Sequence, residues 1–336
     1  MNRRAVALLS GGLDSTLAVK VMLDQGIEVT ALNFTSVFCN CTSSKGGCKS
    51  EAARVADEFG IPCKVLFKGL DYIDVVRNPR FGYGKGINPC VDCRIFMFRR
   101  AKEYMAEIGA SFLFTGEVLG QRPMSQRRDT FKTIEEESGL EGLILRPLCA
   151  KHLKPTLPEQ AGVVDREKLL DFVGRTRRPQ MDLADTYELV DYPCPSGGCL
   201  LTDKIFSRKV RDLLDHEPHV STGDLQLLKS GRHFRTTDGV KIVVGRDEAD
   251  NARLKRLAQK GDSVVEPVDF PGPVAVVCGG VENGTGNLVG RILLRYAGTK
   301  APDVGTVKVS TDEAESTFIV SSPIDEGSLG EMRICG

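Results

Sequence analysis

A doubly wound α/β fold with a parallel sheet is predicted for roughly the first 150 residues of this chain, followed by a smaller α+β domain. Two observations predict this organisation. Apolar strand-like runs alternate with helical patterns in the first half, and short strands separated by turns fill the sequence from about residue 217 onward. Alternating strands and helices are typical of a parallel sheet that helices cover on both faces.

The strands of the first domain are predicted from short apolar runs bounded by turn residues, at 4–9, 28–34, 62–67 and 112–114. Helices are predicted where apolar residues recur every three or four positions, at 17–23, 51–59 and 94–108. Ligands of such sheets bind at the carboxyl ends of the strands. Ser10, Asn33 and Thr115 all fall at strand ends, so they are predicted to share one site.

The rest of the chain is predicted to have two further parts, residues 151–216 and residues 217–336. The middle part is richer in proline and basic residues, and its patterns predict helices over 165–174 and 204–214. In the last part the Asp238-Gly239 pair stands between two alternating runs, which predicts a β-hairpin.

Composition limits the classes of function. The 336 residues suffice for two domains with cores of their own, and the formal net charge of zero means that nucleic acid would be bound by local basic patches. Apolar runs of signal-peptide or membrane-spanning length are missing from the sequence, so we expect a cytosolic protein with no membrane partner. Eleven cysteines in that compartment indicate metal ligands or reactive thiols rather than disulfides.

The turn Ser10-Gly11-Gly12-Leu13-Asp14-Ser15-Thr16 joins the first strand to the first helix. Its glycines allow backbone N–H groups to approach a phosphate, and its hydroxyl groups and the helix N-terminus add further donors and positive charge. Asp14 suits a phosphate that carries Mg²⁺. The Gly-Lys-Ser ending of a Walker A loop is absent, so a different type of phosphate loop is predicted.

Cysteines provide the second candidate site. Cys90 and Cys93 are three residues apart just before a helix, while Cys194 and Cys199 lie on a distant glycine-rich turn. Cys90, Cys93 and one cysteine of the distant turn could hold a 4Fe–4S cluster with one iron left open. Alternatively, one thiol carries a persulfide that another resolves as a disulfide, or the thiols bind zinc. A second group in a polar loop is interpreted as incidental thiols in preference to a further site: Cys39, Cys41 and Cys48.

The loop from Ser10 to Ser15 resembles the PP-loop of the N-type ATP pyrophosphatases, which cleave ATP between the α and β phosphates. Together with the Cys90/Cys93 pair and the run Thr115-Gly116-Glu117-Val118-Leu119-Gly120-Gln121, it resembles the tRNA thiouridine synthetases, in both their 4-thiouridine and 2-thiouridine branches. Residues 140–205 resemble thiouridine-synthetase-like proteins, whose shared motif matches residues 195–203 and includes the cysteine at Cys199. Residues 231–254 resemble the RNA-binding domain of NFACT-type proteins.

This resemblance implies the fold of the adenine nucleotide α-hydrolases for residues 1–150 and an ATP-dependent tRNA sulfurtransferase that thiolates an adenylated uridine. It implies ATP, Mg²⁺ and a 4Fe–4S cluster on Cys90, Cys93 and Cys199, with catalytic roles for Asp14, Cys93 and Cys199. The partners it implies are tRNA and a sulfur donor, either sulfide or a cysteine desulfurase. The nucleotide-binding residues expected are Ser10, Gly11, Gly12, Asp14, Ser15, Thr16, Asn33, Thr115, Gly116 and Gln121.

Two other functions stay open from the sequence. The same loop occurs in enzymes that adenylate small molecules, and a non-catalytic RNA-binding protein could retain a vestigial nucleotide pocket. The intact Ser-Gly-Gly-x-Asp-Ser loop argues against the second. If RNA is bound, we expect its phosphates near the hairpin, at Arg232, Arg235, Lys241 and Arg246.

Overall fold

The computed structural model describes residues 1–39, 47–189, 199–281 and 284–335, and the chain divides into two compact units, residues 1–202 and 203–336. Cys41, Cys194 and residues 195–198 lie outside the described residues, and so does the side chain of Cys48. Within the described ranges no helix is long and apolar enough to cross a membrane.

The first unit is built on a five-stranded parallel sheet with the order β3-β2-β1-β4-β5. Its strands are β1 (Arg4–Leu8), β2 (Glu28–Thr35), β3 (Cys63–Phe67), β4 (Phe112–Thr115) and β5 (Ile144–Leu145). Its helices are α1 (Leu13–Leu23), α2 (Gly47–Glu58), α3 (Asp71–Arg77), α4 (Cys90–Glu107), α5 (Arg128–Ser138), α6 (Leu157–Gln160) and α7 (Arg178–Thr186).

Alternate residues of the central strand β1 enter two different cores. Ala5 and Ala7 pack with α1, α2 and α7 on one face, whereas Val6 and Leu8 pack with α4 and α5 on the other. Successive side chains of a strand point to opposite faces, so a central strand buried on both sides reads as a continuous apolar run. The predicted doubly wound parallel sheet is confirmed.

The second unit contains a six-stranded antiparallel sheet with the order β11-β10-β8-β9-β7-β6. Its strands are β6 (Arg232–Arg235), β7 (Lys241–Val244), β8 (Ser263–Pro267), β9 (Ala275–Val277), β10 (Val304–Ser310) and β11 (Glu315–Ser321). Its helices are α8 (Lys204–His216), α9 (Thr222–Leu227), α10 (Glu248–Leu257), α11 (Thr285–Tyr296) and α12 (Glu326–Met332). The β6–β7 hairpin around Asp238-Gly239 and the α+β class are confirmed.

One predicted helix is wrong. Residues 165–174 form only a short 3-10 turn, Arg166–Lys168, with Asp165 as its cap. The following backbone runs extended because it is bonded to a neighbouring segment: Leu170 N–H donates to the Pro147 carbonyl at 2.9 Å and Phe172 N–H donates to the Leu148 carbonyl at 2.8 Å. Tertiary hydrogen bonds therefore overrode a local capping signal.

The structure divides the chain after Thr202, whereas the sequence predicted a boundary near residue 217. The intervening helix α8 belongs to the second unit, because its Asp212 carboxylate binds Arg235 of β6 through two bonds of 2.8 Å and Val210 is buried. The change in composition near residue 217 marks where the short strands begin. It does not indicate which unit the preceding helix α8 packs against.

Candidate active site

The loop after β1 is held by hydroxyl groups that bond to one another and to the backbone. Ser15 Oγ donates to the Gly12 carbonyl at 2.8 Å and lies 3.1 Å from Ser10 Oγ, while the Thr16 hydroxyl donates to the same carbonyl at 3.2 Å. Gly11 has a φ of +77°, and a Cβ there would lie 2.6 Å from Cβ of Glu51 on α2. The loop therefore requires glycine for its own packing as well as for any ligand.

Gly116 has an equally strict steric requirement. A Cβ at this position would overlap the backbone of Asp14. The carboxyl end of β4 and the start of α1 thus approach each other as closely as two backbones can. This approach brings Thr115 and Asp14, predicted from separate motifs, to one wall of the same cleft.

The cleft at the carboxyl ends of β1, β2 and β4 encloses about 680 Å³ of empty space, including the part open to solvent. It is lined by seven of the predicted nucleotide-binding residues, Ser10, Asp14, Ser15, Asn33, Thr115, Gly116 and Gln121. Gly11, Gly12 and Thr16 shape the loop without lining the cleft.

Several polar atoms around this cleft are buried without a hydrogen-bond partner among the described residues. They include Asp14 Oδ1, Asn33 Oδ1 and Arg177 Nε. The other oxygen of Asp14 accepts from Gln121 Nε2 at 3.1 Å and from Arg177 Nη2 at 3.2 Å. A buried polar atom without a partner is costly, so these atoms indicate a polar ligand or cation that completes the site.

A buried ionic network lies on the far side of the cleft. Glu117, 2 % exposed, forms ion pairs of 3.3 Å with both Arg94 and Arg146. Arg146 also binds Glu135 at 2.5 Å and stacks on the Phe131 ring. Because Arg94 follows Cys93 directly on α4, this network links the nucleotide cleft to the cysteine pair.

Arg122 lines the cleft without an ion pair in the described part of the chain. Burial lowers the pKa of Arg122, and the neighbouring charge of Arg94 lowers it further. Two cations that disfavour each other in a half-buried cleft are suited to an anion with several charges, such as a polyphosphate. Neither arginine was predicted from its sequence position to line the cleft.

Cys90 and Cys93 both lie in the first turn of α4, because the helix begins at Cys90 rather than at Arg94 as predicted. Lys68 Nζ lies 3.4 Å from Cys93 Sγ and 4.3 Å from the centre of the Tyr72 ring. A cation at this distance stabilises negative charge on the sulfur, as does a helix N-terminus. Met97, 3.9 Å from Cys93 Sγ, lines the nucleotide cleft, so Cys93 borders that cleft.

Three thiols and Lys68 surround the buried Tyr72. Burial raises the pKa of Tyr72, and the nearby sulfurs of Cys93, Cys199 and Cys90 raise it further. Burial likewise raises the pKa of Cys199 to about 11. The structure thus brings Cys90, Cys93 and Cys199 into one neighbourhood, although Cys199 is more than 100 residues away in sequence.

The described thiols do not form a site for a single metal ion. Within residues 1–39, 47–189, 199–281 and 284–335, no three His, Cys, Asp or Glu side chains are grouped to hold one metal ion. We derive no chemical step through a cluster.

Cys39 belongs to the same neighbourhood, which the sequence missed. It forms an isolated antiparallel bridge with Cys199. We refer to Cys39, Cys90, Cys93 and Cys199 as the thiol group. That Cys39 belongs to the thiol group is shown only by its contact with Cys199, 160 residues away. The sequence of the Gly/Ser-rich loop around Cys39 gives no local signal of it.

The basic residues of the β6–β7 hairpin are mostly engaged within the second unit. Lys241 is 4 % exposed, so the expectation that it contacts RNA is wrong. Arg235 is paired with Asp212, and Arg246 is paired with Asp250 at 2.5 Å. Arg232 donates to the Gly245 carbonyl and lies over the Tyr296 ring.

The fold and the loop together define a nucleotide-binding α/β domain of the PP-loop type, followed by a separate α+β domain. Comparison with known families agrees with this. Residues 1–155 match the family described as thiamine biosynthesis protein (ThiI), and residues 231–332 match the NFACT protein RNA binding domain. The resemblance to thiouridine-synthetase-type PP-loop proteins with a C-terminal NFACT-type domain is confirmed.

Individual relatives cover parts of the chain. The tRNA-specific 2-thiouridylase MnmA of Clostridium acetobutylicum is 31 % identical over 59 % of this chain and 58 % of its own length. That of Trichlorobacter lovleyi is 33 % identical over 35 % of this chain and 34 % of its own length. The chain therefore spans between one third and three fifths of these relatives. A 4-thiouridine synthetase solved in complex with RNA and ATP is 22 % identical, with a TM-score of 0.36, over 67 % of this chain and 52 % of that one.

Proposed function

We propose that this protein is an ATP-dependent tRNA sulfurtransferase that replaces a uridine carbonyl oxygen by sulfur. The observation that carries the proposal is the position of Cys93, whose neighbours Arg94 and Met97 line the cleft that contains the PP-loop. A reaction that first activates a carbonyl with ATP and then attacks it with sulfur needs these two sites side by side. The 2-thiouridylase relatives support tRNA as the substrate.

The cleft residues would divide the nucleotide between them. The hydroxyl groups of Ser10 and Ser15, which line the cleft, would hold the phosphates, with Arg122 opposing their charge. The backbone of Gly11 and Gly12 would approach the phosphates from the loop beside the cleft. The unpartnered Oδ1 of Asp14 is the oxygen that would bind Mg²⁺, which neutralises charge on the phosphates when bound. Asn33, Thr115, Gly116 and Gln121 complete the walls.

Sulfur would be handled by the thiol group. Lys68 Nζ lies 3.4 Å from the Cys93 sulfur at the border of the cleft, so Cys93 is the thiol placed to act on the activated uridine. We propose a persulfide delivered by a cysteine desulfurase, or free sulfide, as the sulfur source. The target base must leave its stack to reach the cleft.

The 4Fe–4S cluster predicted on Cys90, Cys93 and Cys199 is the alternative form of the sulfur carrier. Iron and acid-labile sulfide assays on anaerobically purified wild type and on the Cys199→Ser variant distinguish a cluster from thiols that carry the sulfur directly. We expect a colourless, iron-free protein if the thiols act directly. A brown protein whose iron is lost in the Cys199→Ser variant would establish the cluster instead.

The division of labour along the chain is part of the proposal. Residues 1–150 would activate the uridine, residues 151–216 would supply Cys199, and residues 217–336 would bind RNA, as the match to an NFACT RNA-binding domain supports. On the second unit, the exposed cations of α10 and the turn after it have no bonded partner in the described residues, namely Arg253, Arg256 and Lys260. We propose them as the RNA surface, in a cytosolic protein.

Mass spectrometry of tRNA nucleosides tests the function. Purified full-length protein is incubated with ATP, a persulfide source and unmodified tRNA. We expect one thiouridine to appear together with pyrophosphate. Pyrophosphate release that depends on a small molecule and not on tRNA would instead support the small-molecule adenylating enzyme.

A further inference from the structure

Cys39 and Cys199 oppose each other at a position where a disulfide can form. Leu200 N–H donates to the Phe38 carbonyl at 2.9 Å, so the hydrogen bond joins the residues that flank the pair. The Cys39 N–H is used elsewhere, on the Ser36 carbonyl at 3.2 Å. Cys39 and Cys199 are therefore a non-hydrogen-bonded antiparallel pair, for which Cα atoms lie about 4.5 Å apart. Disulfides span Cα separations of about 4.4–6.8 Å.

The sulfur of Cys39 is also prepared for attack. Ser36 N–H donates to Cys39 Sγ at 3.3 Å, and the Ser36 hydroxyl lies 3.6 Å from the same sulfur. Donors directed at a sulfur stabilise its thiolate, which is the nucleophilic form. The turn from Ser36 to Cys39 thus presents a thiol with a backbone N–H donor at its sulfur, opposite the backbone of Cys199.

Cys93 is a second neighbour of Cys199, because in addition to burial, charge on the Cys93 sulfur raises the pKa of Cys199, as charge on the Cys39 sulfur also does. The Cys93 sulfur is held by Lys68 and by Met97 on α4, toward the nucleotide cleft. Cys199 is therefore paired through its backbone with Cys39, whereas Cys93 faces the place where the uridine is activated. Cys39 is thus the thiol placed to release sulfur from Cys199, and Cys93 is the thiol placed next to the activated uridine.

We propose that Cys39 is the resolving thiol of Cys199, a role that rests on the proposed sulfurtransferase function. Cys199 carries the persulfide, and the Cys39 thiolate attacks its inner sulfur. A Cys39–Cys199 bond forms, the bond to the terminal sulfur breaks, and that sulfur leaves with the electron pair as hydrosulfide. The terminal sulfur is reduced by two electrons and the cysteine pair is oxidised to a disulfide. A dithiol reductant reopens the disulfide, and the sulfur donor reloads Cys199.

The test uses full-length protein loaded with inorganic polysulfide and then freed of excess reagent, without ATP or tRNA. Hydrosulfide release is measured over time, and the disulfide is located by mass spectrometry of non-reduced peptides. We expect close to one equivalent of hydrosulfide and a Cys39–Cys199 peptide pair. The Cys39→Ser variant should release hydrosulfide at least 10-fold more slowly and retain the persulfide on Cys199. Cys278→Ser, which removes a thiol of the second unit, is the matched control.

A Cys93–Cys199 pair in the wild type, or release from the Cys39→Ser variant at the wild-type rate, would overturn the proposal. The wild-type peptide map decides the question even if a variant does not fold. Because the assay contains no tRNA, a protein that forms the Cys39–Cys199 pair but never thiolates tRNA would refute the proposed function alone. Thiolation with a Cys93–Cys199 pair would refute the resolving role alone.

Discussion

The cleft of the first unit and the β6–β7 hairpin of the second use their polar groups in opposite ways. Around the cleft, Asp14, Asn33 and Arg177 have buried polar atoms with no hydrogen-bond partner in the described part of the chain. In the second unit, the arginines expected to bind RNA are bonded to Asp212, to Asp250 or to a backbone carbonyl. Groups that bind a ligand must keep bonding capacity in reserve, whereas groups that hold a fold use it internally. Motif position alone does not distinguish the two.

The largest effect is expected when the Asp14 carboxylate, which has an unpartnered oxygen at the cleft, is removed. Asp14→Ala should lower the thiolation rate by about 100- to 1,000-fold, because charge on the phosphates loses its counter-ion. Affinity for tRNA in filter binding should stay nearly unchanged. Asp24→Ala, which removes a carboxylate paired with Lys20 beyond the end of the same helix, is the control. Full activity of Asp14→Ala would show that the chemistry does not occur at this loop.

The raised pKa of Cys199 predicts a steep pH dependence of its alkylation. Burial raises the pKa of this thiol to about 11, so its thiolate fraction rises about tenfold for each pH unit below that value. Iodoacetamide labelling of Cys199, followed by mass spectrometry, should therefore accelerate about 100-fold between pH 8 and pH 10. A rate that levels off near pH 8.5 would mean that the thiol is solvated like a free cysteine.

The Lys68 ammonium offers a test of how the thiol group is activated. Lys68→Met should reduce thiolation about 10-fold, since the Cys93 sulfur loses the cation 3.4 Å away. Lys68→Arg should recover part of the activity, which a merely structural role would not require. ATP-binding affinity serves as the internal control, because Lys68 does not line the cleft. Equal activity of the Met and Arg variants would exclude a role for the charge.

A smaller effect is expected on the proposed RNA surface. Replacing Arg253, Arg256 and Lys260 together by glutamine should weaken tRNA binding, and the salt slope of binding should fall by about 0.7–0.9 for each phosphate that these side chains neutralise. The control is Arg295→Gln, an exposed cation already paired with Glu326. An unchanged slope would place the RNA elsewhere.

The smallest effect on RNA binding is expected at Arg235, although its loss should destabilise the fold. Arg235→Gln leaves Asp212, whose side chain is 12 % exposed, without its arginine partner and with only His216 nearby, at 3.6 Å. We expect a loss of roughly 2–4 kcal/mol in urea unfolding with tRNA affinity retained at low temperature. A variant that is as stable as the wild type but binds tRNA poorly would show that Arg235 contacts RNA.

Much of the first unit could be predicted from sequence because its signals are local. The apolar runs, the Ser10–Thr16 turn and the strand-end residues Asn33 and Thr115 each carry their meaning within a few positions, and the sheet topology then brings them together. The first turn of α4 was missed because Pro89 precedes the helix and the cysteines are not strong helix formers.

Long-range pairing could not be predicted in the same way. Cys39 looked incidental since its partner Cys199 lies 160 residues away, and no motif marked Arg122, although it lines the cleft. Lys241 sits in a basic hairpin sequence, yet packing buries it. These outcomes depend on which distant segments contact each other. The spacing of residues within one motif carries no information about such contacts.

The juxtaposition of Cys93 and Arg94 on one helical turn has a consequence for the order of events. Arg94 is tied to Glu117 at the wall of the nucleotide cleft, so displacement of this turn affects both sites. If modification of the Cys93 sulfur changes the affinity for nucleotide, then bound nucleotide must change the affinity of Cys93 for sulfur by the same factor. Under the proposed function, the start of this helix would let bound nucleotide and bound sulfur change each other's affinity.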